Sequence, residues 1–318
     1  MIKYSTVVDV EKSPYKIGYS DRMMFVGSCF ADNIGAKMRE CRFNVEVNPF
    51  GAMYNPASVA AACRMMSQAE PRVFTEKDLR RHDGLFHSFL HHGRFSDASA
   101  ERCLEGINAA LRTAVEGFGK LSYLLITFGT ADVYRLKNGG ETVANCHKIP
   151  ASEFVGERLT VEEIVGEWSA LIEGLREGLK IVFSVSPVRH LKDGAHLNRI
   201  SKAILLLAIQ EIVGRFPDRT SYFPAYEIMM DELRDYRFYA DDMLHPTAVA
   251  VDYVWERFCE SYMSDETKAI IKEVEEINRA MNHKVFNSSA DSYKMFLEYT
   301  RAKVQQLKDK YPQICISV

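Results

Sequence analysis

Two short segments carry side chains whose types and spacing could do chemistry. The first is Gly27-Ser28-Cys29-Phe30-Ala31, which follows an apolar run directly and opens a helical pattern. A hydroxyl there lies at the C-terminal edge of a sheet, where open α/β folds place their sites. The helix behind it offers free N–H groups and a positive dipole end, which suits a nucleophile whose intermediate carries an oxyanion. Read by itself, Ser28 is also an ordinary helix N-cap. The second segment is Asp242-Met243-Leu244-His245-Pro246-Thr247, late in the chain. A carboxylate three residues ahead of a histidine can fold back and accept the Nδ1–H. That fixes the tautomer and leaves Nε2 as a base. Pro246 keeps His245 out of helical geometry, which fits a loop; the alternative is a surface loop before a helix starting at Thr247.

Other polar groups fall near these two. Asn145, His147 and Lys148 close an expected hairpin and could reach a substrate, or form a solvated edge. Arg189, in Ser186-Pro187-Val188-Arg189-His190, could hold an anionic group or pair with a surface carboxylate. His82, His87, His91 and His92 cluster in one stretch, but no HExxH is present, and a lid or supporting loop is expected there rather than a metal site. Cys29, also at a helix start, makes a Cys29–His245 pair conceivable; adjacent side chains diverge, so only one of Ser28 and Cys29 can face the histidine well.

The elements that must position these groups alternate between short apolar runs and longer amphipathic ones. Met23–Gly27, Phe43–Val47, Tyr123–Phe128 and Ile181–Val185 read as strands, with Ser221–Phe223 a weaker fifth. Helical patterns cover Phe30–Cys41, Leu104–Phe118 and Val161–Leu179, the last with a Thr160/Glu163 capping box. Leu197, Ile200, Ile204, Leu207 and Ala208 give another helix an apolar stripe. This predicts an α/β fold with a parallel sheet of right-handed βαβ units. Asp132–Leu136 and Glu141–Asn145, around Lys137-Asn138-Gly139-Gly140, predict an inserted β-hairpin. Residues 1–263 form the α/β domain and 264–318 a helical appendage. Its two stripes are Ile270, Ile271, Val274, Ile277, Met281 and Tyr293, Phe296, Leu297, Thr300, Val304, Leu307, with a break at Asn287-Ser288-Ser289. Such stripes pack on the parent domain or on a partner subunit, so a homo-oligomer through these helices is one expectation.

Composition narrows the class further. The 318 residues are 47% hydrophobic and 26% charged, with a net charge of -3, so bulk electrostatics do not point to nucleic acid. No apolar run is long enough for a membrane span or a signal peptide. Seven cysteines without a CxxC pair read as reduced thiols of a cytoplasmic protein. No GxxxxGK[ST] loop is present, which argues against a P-loop enzyme.

Taken together, a serine after the first strand and a late DxxH resemble the GSCFA family, whose naming motif stands unaltered at Gly27 to Ala31. That family belongs with the SGNH, or GDSL-type, hydrolases, which implies a three-layer flavodoxin-like fold and esterase or carbohydrate O-acetyltransferase activity. The resemblance implies Ser28 as nucleophile and Asp242 and His245 as its partners. It implies an oxyanion hole from the backbone N–H groups of Ser28 and Gly51, the latter in Asn48-Pro49-Phe50-Gly51. The third block departs from the family pattern: where GxxN is usual, the chain reads Gly129-Thr130-Ala131-Asp132. An ionised aspartate cannot donate and would repel an oxyanion. Either Asp132 points away or another donor, Thr130 or Asn145, takes the role. Cys29 likewise stands where aspartate is usual. The expected function is acyl-ester hydrolysis or acyl transfer through a serine ester on a small-molecule or carbohydrate ester, without a cofactor. The alternative is a noncatalytic module binding carbohydrate or lipid on the same fold.

Overall fold

The computed structural model describes residues 6–281, 291–312 and 314. Five parallel strands form the central sheet: β1 (Arg22–Gly27), β2 (Asn44–Val47), β5 (Tyr123–Phe128), β9 (Lys180–Val185) and β10 (Thr220–Tyr222). Their spatial order is β2-β1-β5-β9-β10. This is the doubly wound flavodoxin-like order, and its direction reverses between β1 and β5. Side chains alternate between the faces. Met24 and Val26 of β1 enter one core and Met23 and Phe25 the other. The first core is roofed by α2 (Pro56–Ser67), α3 (Ala100–Phe118), α4 (Val161–Gly174) and α5 (Ala195–Arg215). The second is roofed by α1 (Cys29–Glu40), the short α6 (Ala225–Glu227), α7 (Ala248–Tyr262) and α8 (Asp265–Met281). The result is a three-layer α/β fold with C-terminal helices, as the resemblance implies.

Two smaller sheets sit beside the main one. β3 (Arg80–His82) and β4 (Leu85–His87) form a hairpin turning at Asp83-Gly84, both with positive φ. The expected hairpin forms between β6 (Asp132–Leu136) and β7 (Thr142–Val143), and β8 (Phe154–Arg158) adds a third strand on the other side of β6. α4 keeps its Thr160/Glu163 capping box but ends at Gly174, five residues before the expected Leu179.

α5 corrects the sequence reading of its face. The expected stripe lies largely outward, with Leu197 39%, Ile200 36% and Leu207 61% exposed. Of that stripe Ala208 is buried and Ile204 packs partly against the core, while the rest of the inward face is Asn198, Ser201, Lys202, Leu205, Ile209 and Ile212. The first two turns of α5 lie over the ends of the strands, where backbone groups need polar partners rather than apolar cover. Asn198 accepts from His190 N and Ser201 accepts from Ala131 N.

Ile270, Ile271, Val274 and Ile277 of α8 are buried in the second core, against the parent domain. In α9 (Asp291–Lys310), Val304 and Leu307 join the same core. The expected break at Asn287-Ser288-Ser289 and the side chains of Tyr293 and Leu297 lie outside the described residues.

Candidate functional site

The turn from β1 into α1 lies at the switch point of the sheet. Gly27 has φ +150°, and a Cβ there would stand 2.2 Å from the Thr127 carbonyl of β5, so only glycine lets the strands close here. Ser28 follows in extended geometry and caps α1, its Oγ accepting from Phe30 N at 3.3 Å. Its own N–H donates to Thr127 O at 3.0 Å, and the residue is 1% exposed. Cys29, the first helical residue, is partly exposed. Burial raises its thiol pKa, with Asp32 adding to the effect, against a smaller lowering by the helix N–H groups. The thiol form is thereby favoured.

Asn48, at the end of β2, organises this turn and was not singled out from sequence. Fully buried at φ +46°, it accepts from Gly27 N at 2.8 Å and donates Nδ2–H to Asp32 Oδ1 at 2.8 Å. Gly51 has φ +87°, and a Cβ there would come within 2.1 Å of His92 Cβ. Its N–H donates to Asn48 O at 2.8 Å, inside the loop.

The histidine loop has the local geometry the spacing predicts. His245 Nδ1 donates to Asp242 Oδ2 at 2.6 Å, while Asp242 Oδ1 accepts from His245 N at 2.9 Å and Leu244 N at 2.8 Å. These three bonds, the His245 backbone N–H foremost, hold the Asp242 pKa down to about 2. Met243, at φ +59°, makes the fold-back. The loop is fastened to the segment after β9, because Arg189 Nη2 donates to Met243 O and its guanidinium lies 4.5 Å from the centre of the Tyr239 ring. Arg189 therefore braces the loop. His245 is about half exposed, and no hydrogen bond joins it to Ser28 among the described residues.

The third block turns away from the edge. Asp132 Oδ1 accepts from Arg158 Nε at 2.7 Å and Oδ2 from Thr130 Oγ1 at 2.9 Å. Thr130 Oγ1 also lies 3.0 Å from Ser201 Oγ. Asp132 is thus neutralised by β8, and the Thr130 hydroxyl is committed to Asp132 and Ser201. Behind Gly129 lies Lys202, which donates to Gly129 O at 2.7 Å and to Ser186 O at 2.6 Å. Sequence reasoning missed it, since a lysine in a helical stretch reads as solvated surface.

The histidine-rich stretch and the Asn145–Lys148 turn pack on one another. Asn145 Oδ1 accepts from His147 N at 2.9 Å, and His147 Nε2 lies 2.8 Å from Ser88 O. His147 stacks on His87 at 4.5 Å, and burial lowers its pKa. Lys148 is exposed. His87 bonds Ser96 and His82 O, His91 bonds Ser88, and His92 accepts from Arg94 N. Each ring is turned to its own partner, and no metal-binding group of three appears among the described residues. Arg94 in turn bonds the Asn48 and Pro49 carbonyls, so this stretch braces the loop after β2.

The structure thus joins Asp242 to His245, Asn145 to His147, and Arg189 to the histidine loop. It sets Thr130 and Asp132 apart in a separate network. Comparison with known proteins finds the GSCFA family model matching residues 22–258 and the model of the GSCFA domain protein C-terminal domain matching residues 274–317. Neither the curated proteins nor the solved structures yield a match.

Proposed function

The chain belongs to the GSCFA family, and from that premise we propose that it is a serine-dependent acyl-ester hydrolase or O-acyltransferase of the SGNH type. The observation that carries the reading is the Asp242–His245 pair, closed at 2.6 Å beside the end of β9. With Nδ1–H given to Asp242, Nε2 keeps its lone pair. His245 takes the proton of Ser28 as Oγ attacks an ester carbonyl, and returns it to the departing alcohol. Water or a sugar hydroxyl then attacks the acyl-serine, losing its proton to His245, which returns it to Ser28. The substrate is a small ester or an acetylated carbohydrate. Ser28 Oγ accepts from Phe30 N and keeps its own O–H to donate to His245 on substrate binding, a contact that commonly tightens between free and bound enzymes. Free thiols at six described cysteines support a reducing, cytoplasmic setting. No helix among the described residues is long and apolar enough to cross a membrane.

A fluorophosphonate tests this directly. Peptide mass should place the adduct on Ser28 in the wild type and find none in His245→Ala. An unlabelled Ser28, with a control esterase labelled in parallel, would sink the assignment. One observation favours the noncatalytic carbohydrate- or lipid-binding reading: Ser28 is 1% exposed, and its N–H and that of Gly51 are both committed. On that reading ligand binding survives Ser28→Ala and no acyl-enzyme accumulates.

A further inference from the structure

Lys202 is 1% exposed, on the inner face of α5. Its Nζ donates to the carbonyls that end β5 and β9, and no ion pair among the described residues includes it. An ammonium without a counterion is expensive to bury. Burial brings its pKa down to about 7, with Cys29 acting more weakly in the opposite sense. The amine therefore carries its charge for part of the time at neutral pH. A staple for two carbonyls needs only a donor; a lysine here brings a titratable positive charge as well.

That charge stands at an edge where the N–H groups expected to form the oxyanion hole are already engaged, so that the α1 N-terminus is left as the other source of positive potential. The Ser28 N–H is given to Thr127, the Gly51 N–H to Asn48, and Asp132 is a carboxylate turned toward Arg158. We propose that Lys202 is a positioning residue of the acyl-transfer site, holding the ends of β5 and β9 in register and supplying the positive charge toward which an oxyanion on Ser28 develops. The proposal rests on the serine reading above. Charge acts at range in a water-poor interior, so contact with substrate is not required. The groups facing the amine are Cys29 on α1, with Asp32 and Tyr54 beside it, and Tyr226 on α6, whose ring centre is 5.9 Å from Nζ. Arg199, Arg189 and Glu227 act on Tyr226 in turn. Among the described residues no carboxylate pairs with Lys202, and the ionisable group acting on it is Cys29, next to Ser28.

The test is the rate at which a fluorophosphonate labels Ser28 as a function of pH, in the wild type, Lys202→Met and His245→Ala. Labelling forms the Oγ–P bond, expels fluoride and passes the serine proton to His245. The wild-type rate should fall on the alkaline side of neutral as Lys202 loses its proton. Lys202→Met should label about a hundredfold more slowly below neutral pH, on the scale of one lost oxyanion donor, and should lose the alkaline descent. A merely structural role would lower the rate at every pH and leave the profile's shape unchanged. That shape, or Lys202→Met matching the wild type, overturns the proposal while leaving the serine reading intact. Absence of Ser28 labelling in the wild type overturns both. Should Lys202→Met fail to fold, the wild-type profile decides: an alkaline descent supports the charge, and a plateau through pH 9 overturns it.

Discussion

At His245 the spacing of three residues to Asp242 is enough to build a pair, because a single turn closes it without help from distant chain. Asp242 also accepts two backbone N–H groups, so it organises its own loop as well as the imidazole. Its pKa of about 2 lies below the ordinary carboxylate value near 3.9, so its bonds contribute stability above that value and lose it as the pH falls toward 2. Asp242→Asn should therefore lower the melting temperature at pH 6, and its difference from the wild type should shrink between pH 4 and pH 2. Acyl transfer should fall on the order of a thousandfold or more, since an amide can donate to Nδ1 and reverse the tautomer. A variant that labels with fluorophosphonate at the wild-type rate would show that Asp242 serves the loop alone. Ser28 and this pair were legible because their signals are local. The fates of the Ser28, Gly51 and Thr130 donors were not: Ser28 N–H goes to Thr127 on the neighbouring strand and Thr130 meets Ser201 on α5, both distant in the chain, while Gly51 N–H closes a turn onto Asn48 O whose backbone geometry the residue types do not fix.

Between elements, the same segment shows how a sequence departure becomes architecture. Asp132 opens β6, pairs with Arg158 at the far end of β8, and holds Thr130, which reaches Ser201 on α5. The three-stranded sheet is thereby fastened to the end of β5. Asp132→Ala removes a half-buried charge-assisted network and should cost about 2 kcal/mol in denaturant-induced unfolding. A loss under 0.5 kcal/mol would mean that the sheet is held by Val143, Ile149 and Phe154 of its own small core. The strands of the main sheet were legible as continuous apolar runs, being buried on both faces. α5 misled because its inward face serves strand ends and is polar where apolar cover was expected. α2 was overlooked although Asn55 caps it and Pro56 opens it, both recognisable start signals. Asp83-Gly84 likewise marked a hairpin that the histidines around it drew attention from.

For the molecule as a whole, α8 governs how the two halves of the candidate site are held. α1 carries Ser28 at its start, and α7 follows directly on His245. Both helices bury side chains in the core that α8 closes, Ile34 and Met38 from one and Val254 and Trp255 from the other. At the far end of α1, Asn278 donates to Glu40 O at 2.7 Å and accepts from Arg42 at 3.2 Å. The C-terminal stripe read from sequence as an appendage is therefore, over α8, a wall of the main core. Val274 is fully buried in it. Val274→Asp places an unpaired carboxylate there and should cost about 3–5 kcal/mol, a large share of a domain's stability. Met281→Asp, on the same stripe but 40% exposed, should stay within about 0.5 kcal/mol. Equilibrium urea unfolding separates the two. Equal, small effects from both substitutions would mean that α8 is dispensable to the fold. A large effect confined to Val274→Asp, with Ser28 labelling lost in step with unfolding, would show that the helix acts by keeping α1 and α7 packed together.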